Sequence, residues 1–418
     1  MMNFLVIICL GINQVPAKSI NFVFKDTLIM ELIEVKDKKT AQKFIRLPLK
    51  IYAEYPNWIR PLDKDVEHVF HPETNKHFRH GECTRWILTD RNQEVIGRVA
   101  AFINRKTASK DNDQPTGGIG FFECINDQKA AFLLFDTCKQ WLSERGMEAM
   151  DGPINFGDRN EWWGLLVEGF DREPNYQINY NPPYYVDLFE AYGFKTYFEQ
   201  YTFGRKVRDQ LSPKLQEKAD RIAKNPKYRF TTLDKNKLDK YTEYFHAIYN
   251  KAWSSHKGVP ALSMQQAKLV MKQLKPILDP NIMYFGFYEE DPVAFFICIP
   301  EVNQIFKHVN GKMDLIGKLK FLYYRSKKVN KKFTGIVFGI IPEHQGKGVE
   351  GAIILHARRV LEDLHDRYED FEMNWIGDFN PKMIHMVEQV GVSKYKVHKT
   401  FRKLFDESKP FKRHPVIT

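Results

Sequence analysis

The chain has 418 residues, 43% of them hydrophobic and 28% charged, which is room for roughly two to three domains of ~150 residues and excludes wholesale disorder. Lys and Arg outnumber Asp and Glu by 63 to 52, a net +11 that suits an anionic partner such as a polyphosphate cofactor, a lipid surface or nucleic acid. The five cysteines form no CxxC pair, which argues against a disulfide scaffold or zinc ribbon and fits a reduced, cytoplasmic chain.

Phe4 to Ile12 is an apolar run of nine, too short to span a bilayer. No basic residue precedes it and no clear cleavage site follows, so it does not read as a signal peptide. Met30 opens MELIEVKDKKTAQKFI, a strand followed by an amphipathic helix. The expectation is that translation starts at Met30 and that 1–29 is an extension without structural weight. Nowhere else do ~18 uncharged apolar residues run together, so no membrane-spanning helix is expected.

From Met30 the pattern mixes strands with helices. Trp86 to Thr89 and Val95 to Asn104 flank a polar Asp90-Arg-Asn-Gln turn and predict a hairpin. Lys129 to Arg145 places Phe132, Leu133, Phe135, Cys138 and Leu142 at helical spacing and stops at Gly146. Glu148 to Phe156 predicts a strand. A Lys-rich helical stretch over 207–227, bounded by Pro213 and Pro226, reads as a connector. The order then recurs. Tyr228 to Leu233 is a strand, Leu238 to Trp253 a helix, and Ile282 to Tyr288 with Val293 to Pro300 a hairpin. Phe333 to Ile341, Gly351 to His365 and Phe371 to Ile376 follow as strand, helix and strand.

The recurrence is visible in the letters. Leu188 to Arg205 and Met386 to Lys403, offset by 198, share Glu190/Glu388, Gly193/Gly391, Tyr197/Tyr395, Thr202/Thr400 and Phe203/Phe401. Each segment reads as a helix ending at a glycine, then a strand, so the chain carries tandem copies. Just upstream, Gly377 and Asn380 are three residues apart, whereas Gly152 and Asn181 are 29 apart. The first copy therefore holds an extra block rich in Asn, Glu, Trp and Tyr.

The clearest chemical motif is Phe338 to Leu361, in which a strand runs through Pro342 into Gln345-Gly346-Lys347-Gly348 and then a helix. Glycines admit close approach of a ligand, turn N–H groups converge with the helix N-terminus into an anion cradle, and Lys347 adds charge. The bland reading is a strand–helix turn that uses glycine only for positive φ.

With that turn the chain resembles the GNAT acyltransferase superfamily, whose pyrophosphate signature is Gln/Arg-x-x-Gly-x-Gly/Ala. Gln345 to Val349 follows it, but Glu350 stands where Gly or Ala is usual, and Gly351 comes one residue later. The resemblance implies an α/β (α+β) fold of two tandem GNAT-like domains, each a mixed central sheet flanked by helices. These are a degenerate acceptor-side domain over 30–206, a connector over 207–227, and a domain over 228–418 that takes acyl-CoA. It implies acyl-CoA contacts from Phe338, Ile340, Ile341, Gln345, Gly346, Lys347, Gly348, Gly351 and Asn380. The first copy has Ile125-Asn126-Asp127-Gln128 at the place of the turn, so one acyl-CoA per chain is expected.

Gly152-Pro-Ile-Asn-Phe156, Asn160-Glu161, Gly169-Phe170 and Asn181-Pro-Pro-Tyr-Tyr185 resemble the bacterial ceramide synthase-like group, which implies acylation of a sphingoid-type amine. Direct transfer needs a neutral amine beside a thioester carbonyl, a base for the ammonium proton, and an acid for the leaving thiolate. The Glu and Tyr that the superfamily often places on the fourth strand and in the last helix are missing here. The candidates are Glu161 or Glu301 as base and His385 as acid, with Asn155, Asn160, Trp162, Tyr180, Asn181 and Tyr184 shaping the acceptor pocket. For each, a structural role is the competing reading.

Lys312 to Lys332 carries eight Lys/Arg against one Asp, interleaved with Leu315, Ile316, Leu319, Phe321, Leu322, Tyr323 and Tyr324. It reads either as a helix lying on an anionic bilayer, peripheral to the inner membrane, or as a helix packed on the sheet with its lysines in water. His77-x2-His80-x2-Cys83 lacks a second ligand pair and is crowded by Lys76, Arg79 and Arg85, so no metal is expected. No nucleic-acid motif is evident. Two other readings compete with CoA-dependent N-acyl transfer. One is tRNA-dependent aminoacyl transfer of the cell-wall cross-bridge type. The other is a GNAT fold that binds lipid or nucleic acid without catalysis.

Overall fold

The computed structural model describes residues 20–22, 30–211, 213–253, 261–365, 367–389 and 391–417. Most of the stretch before Met30 therefore lies outside the described residues. The first half comprises β1 (Ile20–Phe22), β2 (Met30–Glu34), α1 (Lys38–Ile51), α2 (Asp63–Val69), β3 (Gly81–Thr89), β4 (Val95–Asn104) and β5 (Thr116–Cys124). It continues through α3 (Gln128–Ser143), β6 (Ala149–Gly152), β7 (Leu165–Glu168), α4 (Tyr185–Ala191) and β8 (Lys195–Lys206). Helix starts follow side-chain caps: Asp37 and Thr40 form a reciprocal box on α1, and Asp127 accepts from the Ala130 N–H on α3.

The second half repeats the order after α5 (Pro213–Ala223). It contains β9 (Tyr228–Thr232), α6 (Leu238–Trp253), α7 (Met264–Leu274), β10 (Met283–Tyr288), β11 (Asp291–Pro300), α8 (Asn303–Phe306) and α9 (Leu315–Ser326). It ends with β12 (Lys332–Ile340), α10 (Val349–Asp363), β13 (Asp370–Gly377), α11 (Pro381–Gln389) and β14 (Ser393–Leu404).

β2–β5 in the first half and β9–β12 in the second are runs of four antiparallel strands, each leading to one parallel pair, β5 with β6 and β12 with β13, and β1 adds an antiparallel edge strand to β2. The halves do not keep separate sheets. One mixed sheet of 14 strands runs β1-β2-β3-β4-β5-β6-β14-β8-β13-β12-β11-β10-β9, with β7 on β14 and helices on its faces. The closing strand of each half thus lies beside the other half's parallel pair. The repeated phenylalanines explain why. Phe203 belongs to the core of the second half with Tyr284, Phe285 and Phe295. Phe401 belongs to the core of the first with Phe135, Tyr185 and Phe189. Burying each ring removes apolar surface from water only where the partner half supplies the walls.

β8 and β14 pair antiparallel about a local two-fold axis through Gln200 and His398. Gly193 and Gly391, the two repeated helix stops, have φ of +92° and +78°, the left-handed conformation that ends a helix most readily at glycine.

The parallel pairs fork. β12 matches β13 only from Lys332/Asp370 to Gly335/Met373, after which the strands part, and a bulge at Ile336 interrupts the ladder to β11. β5 and β6 part after Gly118/Asp151, but there the chain fills the gap. Ile154 N–H donates to Ile119 O at 2.8 Å, and a Cβ on Gly120 would meet Ile154 O at 1.9 Å. The strand predicted over 148–156 accordingly stops at Gly152, before Pro153, which has no N–H for a ladder.

Candidate functional site

The open fork between β12 and β13 has two faces, because side chains alternate along a strand. On one face an apolar pocket of about 110 Å³ lies between the sheet and helices α10 and α11. Phe296, Phe338, Phe371 and Met373 form its floor, with Ile354, Ala357, Met383 and Val387 opposite. Ile341 N–H donates to Val293 O at 3.0 Å. By alternation the main chains of Phe338 and Ile340 face the opposite edge, toward the gap left by β13.

The turn at Gln345 to Gly348 joins the end of β12 to the N-terminus of α10, the helix that walls the pocket. Gln345 Nε2 donates to Ile340 O at 2.8 Å and ties the turn to the strand. Gly346 has φ +69° and open space where a Cβ would stand. Gly348 (φ +97°) is the N-cap of α10. The three glycines serve different ends. Gly348 and Gly351 let α5 approach: a Cβ would meet Lys218 O at 3.3 Å and Leu215 Cδ1 at 2.9 Å respectively. Only Gly346, beside the exposed Lys347, leaves room for an anion. Glu350 lines the apolar pocket with Arg205 and Arg358, and its Oε2 is buried without a hydrogen-bond partner. The open turn with its exposed Lys347 has the chemistry an anion such as a diphosphate needs, whereas the Glu350 carboxylate, at the start of α10, is of the wrong sign for one.

Asn380 caps its own helix: Oδ1 accepts from Met383 N–H at 3.2 Å. His385 lies on the exposed side of α11, bonded to Gln389 at 2.7 Å, while Met383, Met386 and Val387 take the pocket side.

The other face of the fork is polar. Glu301 is buried at the end of β11; its Oε1 accepts from Tyr176 N–H (3.0 Å) and Asn303 N–H (2.8 Å), and its Oε2 from Thr334 (3.2 Å). Burial raises its pKa, opposed by the Lys332 ammonium. Beside it Glu372 meets Lys332 at 3.2 Å and Lys396 at 2.7 Å. Burial works to raise the Glu372 carboxyl, yet the Lys396 and Lys332 charges prevail and hold it at about 2. Burial lowers Lys396 to about 8 against the pull of Glu372.

The extra block of the first half docks on this cluster. Lys396 Nζ donates to Glu173 O at 2.9 Å, and Asn303 Nδ2 to Pro174 O at 2.9 Å. Tyr176 O–H reaches Asp65 at 2.5 Å. Glu161 sits nearby, half-buried, its pKa raised by burial and then by Asp158 and Asp65. Its loop lies on the parted end of β13, where Trp375 Nε1 donates to Arg159 O at 3.2 Å. Glu301 holds the Tyr176 N–H directly, while Glu161 acts on the Tyr176 phenol only through its charge, which, after burial and Asp65, helps to raise it.

The predicted acceptor residues divide. Asn160 is exposed. Asn155 is buried with neither amide atom partnered. Asn181 locks its own loop, accepting from Leu166 N–H at 2.7 Å and donating to Leu166 O at 3.1 Å. Tyr184 O–H donates to Cys124 O at 2.8 Å. Trp162, Tyr180 and Asn181 line a second cavity of about 70 Å³ in the first half.

At the base of that cavity is a network that sequence reasoning missed. Glu123 accepts from Tyr52 and Tyr185 at 2.8 Å each and from Arg98 at 3.2 Å. A signal was present, since Arg98 and Glu123 each stand alone in an apolar strand and pair in register. Burial raises the Glu123 carboxyl against its three donors. Among the described residues no group of three or more His, Cys, Asp or Glu converges as a metal site.

No protein-family model matches the chain. It is 26% identical over 387 residues to the bacterial ceramide synthase of Caulobacter vibrioides (strain NA1000 / CB15N), covering 90% of this chain and 97% of that protein. It is 25% identical over 374 residues to protein YghO of Escherichia coli (strain K12), covering 88% and 93%. Among solved structures, the tandem GNAT protein from the clavulanic acid biosynthesis pathway superposes with a TM-score of 0.49 at 10% identity, over 91% of this chain and 100% of that one.

Proposed function

We propose that the chain is a CoA-dependent N-acyltransferase of GNAT type that transfers an acyl group from acyl-CoA to an amine, with a sphingoid-type lipid amine as acceptor. The observation that carries this reading is the fork of β12 and β13, with an apolar pocket on its helix side and the Gly346–Lys347 turn tied to the end of β12 through Gln345. The sealed fork of the first half fits a single acyl-CoA per chain. The near full-length similarity to the bacterial ceramide synthase supports the acceptor class.

In this reading Gly346 and Lys347 receive the diphosphate, and the apolar floor from Phe296 to Met373 holds the arm and acyl chain dry. Main-chain N–H groups of Phe338 and Ile340 face the parted edge, where they can stabilise a developing oxyanion. The amine approaches from the polar face. Glu161, set in the loop over the parted end of β13 with its carboxyl raised by burial and then by Asp158 and Asp65, is the better base, because a raised pKa makes a carboxylate the stronger proton acceptor. Glu301 is committed to holding Tyr176, Asn303 and Thr334, and acts as a positioning residue. Asn155 and Trp162 border the acceptor side. His385, exposed and bonded to Gln389, and Asn380, committed to capping α11, take no step in this reading.

One observation favours a second reading. The Glu350 carboxylate in the pocket suits an apolar ligand without a diphosphate, hence a lipid-binding protein without catalysis. A thermal-shift comparison of long-chain acyl-CoA, acetyl-CoA, CoA, tRNA and free fatty acid separates the cases. Long-chain acyl-CoA is expected to stabilise most. Gly346→Val, which fills open space at about 1–2 kcal/mol of backbone strain, is expected to abolish that shift. Stabilisation by fatty acid but not acyl-CoA supports the second reading, and stabilisation by tRNA alone refutes both.

A further inference from the structure

The amphipathic segment around α9 has a geometry that packing on the sheet does not explain. At ~100° per residue around a helix, Leu315, Ile316, Leu319, Leu322 and Tyr323 fall within one arc of about 120°. All five are exposed, from 56% at Leu322 and Tyr323 to 74% at Leu315. The opposite side of the helix holds it to the protein: Gly317 is buried against Lys312 O, Phe321 meets Phe306 at 5.5 Å, and Tyr324 stacks on His308 at 3.9 Å. The apolar arc therefore points directly away from the body of the protein.

Cations border the arc on both sides. Lys318 and Arg325 lie along one edge and Lys320 and Lys327 along the other, with Lys312 and Lys328 at the ends, all exposed. No ion pair with a carboxylate is recorded for any of these six among the described residues. The acid of the segment, Asp314, is used as the N-cap, accepting from Gly317 N–H at 2.8 Å. Lys332, counted with the segment by sequence, belongs instead to the buried cluster with Glu372. Apolar centre, cationic borders and a helix lying flat on the surface match the chemistry of an anionic lipid leaflet, acyl chains below and phosphates on either side.

We propose that α9 is an interfacial helix that docks the protein on an anionic bilayer through Leu315, Ile316, Leu319, Leu322 and Tyr323. The site of docking is adjacent to the acceptor face. Phe321 rests on Phe306, Phe306 packs on Tyr176 at 5.3 Å, and Tyr176 N–H is held by Glu301. An amphiphilic amine leaving the leaflet at α9 thus has a short route to the polar side of the fork. This deepens the acyltransferase reading by naming where its acceptor resides, and it rests on that reading only for the acceptor, not for the docking.

The test is co-sedimentation of the full chain with vesicles of phosphatidylglycerol and phosphatidylethanolamine, against vesicles of phosphatidylcholine alone. The wild-type chain is expected to partition at least about tenfold better onto the anionic vesicles and to come off as salt rises. Leu319→Glu/Leu322→Glu replaces two outward side chains and is expected to weaken partition by about a hundredfold or more with an unchanged melting temperature. Lys318→Glu/Arg325→Glu is expected to lose the preference for anionic lipid. Wild-type chain that stays in the supernatant, or a Leu319→Glu/Leu322→Glu variant that sediments as well as wild type, overturns the proposal. So does a sedimentation-velocity result in which the leucine variant turns a dimer into a monomer without any vesicle binding, which makes the arc a contact between copies. Vesicle binding requires no acyl transfer. Lost docking with an intact acyl-CoA thermal shift refutes this inference alone, and the reverse result refutes the acyltransferase reading alone.

Discussion

Phe401→Ala tests the crossing of strands between the halves. Phe401 lies in β14, at the end of the second half by sequence, but its ring is fully buried in the first-half core, 5.7 Å from Phe189. Truncating a buried Phe costs about 3–5 kcal/mol, the sum of lost transfer energy and a residual cavity. Where local opening controls amide exchange, that cost corresponds to exchange faster by about a hundredfold to a thousandfold or more. Hydrogen exchange read by mass spectrometry is expected to show the increase in peptides spanning β5, α3 and α4, some 200 residues or more upstream of the substitution. Peptides spanning β10 and β11 should change less. The mirror substitution, Phe203→Ala, should reverse the pattern and loosen β10 and β11, because Phe203 sits with Tyr284 and Phe295. If Phe401→Ala loosens β10 and β11 while leaving α3 protected, each half folds on its own closing strand and the reasoning fails.

Two further outcomes follow from buried charges. Glu350→Gln removes a charge whose Oε2 is buried without a partner and is expected to tighten acyl-CoA binding by about tenfold, through reduced repulsion of the diphosphate; isothermal titration that shows unchanged or weaker binding counts against the placement of the diphosphate at this turn. Burial lowers the His398 imidazole from 6.5 to about 4, so the folded chain stays neutral there while the unfolded chain takes up a proton between those values. Its contribution to stability is complete above the unfolded pKa and is lost as pH falls through that window, by about 3 kcal/mol. Glu372, held at about 2 against 4.5, adds a further loss at lower pH. Urea denaturation from pH 7 to 4 should therefore slope downward in the wild type and flatten in His398→Gln; equal slopes in the two proteins refute the buried neutral histidine.

Much of the fold was legible in the letters because local rules governed it. The predicted hairpin strands, Lys129–Arg145, the helix from Leu238 to Trp253, and the strands near Phe333 and Phe371 all lie within a few residues of the observed elements. Gly193 and Gly391 stop their helices as the repeat implied. The strand predicted over 148–156 ends at Gly152, since nothing local to Ile154 reveals that its main chain bonds into β5. The site was legible only in pieces. Gln345 to Gly348 forms the anticipated turn, but Gly348 and Gly351 admit α5, and Asn380 caps its own helix. The two glycine contacts depend on neighbours distant in sequence, Lys218 and Leu215, whereas the Asn380 cap is local, reaching Met383 three residues on. Glu161 and Glu301 share no motif or spacing, and only the docking of the extra block on the second half, where Glu301 takes the Tyr176 N–H, brings that block over the polar face of the fork.

The order of strands and helices, the repeat, the glycine turn and the amphipathic segment are properties of short windows, set by backbone conformation and by the periodicity of apolar residues. Those the chain determined by itself. Which half each closing strand completes, which fork stays open and which is filled, and which face of α9 is left to solvent were decided only by tertiary packing. The physical reason is that burial is not directional along the chain: Phe203 and Phe401 carry the same local signal, and only the walls available in the folded molecule select where each ring goes.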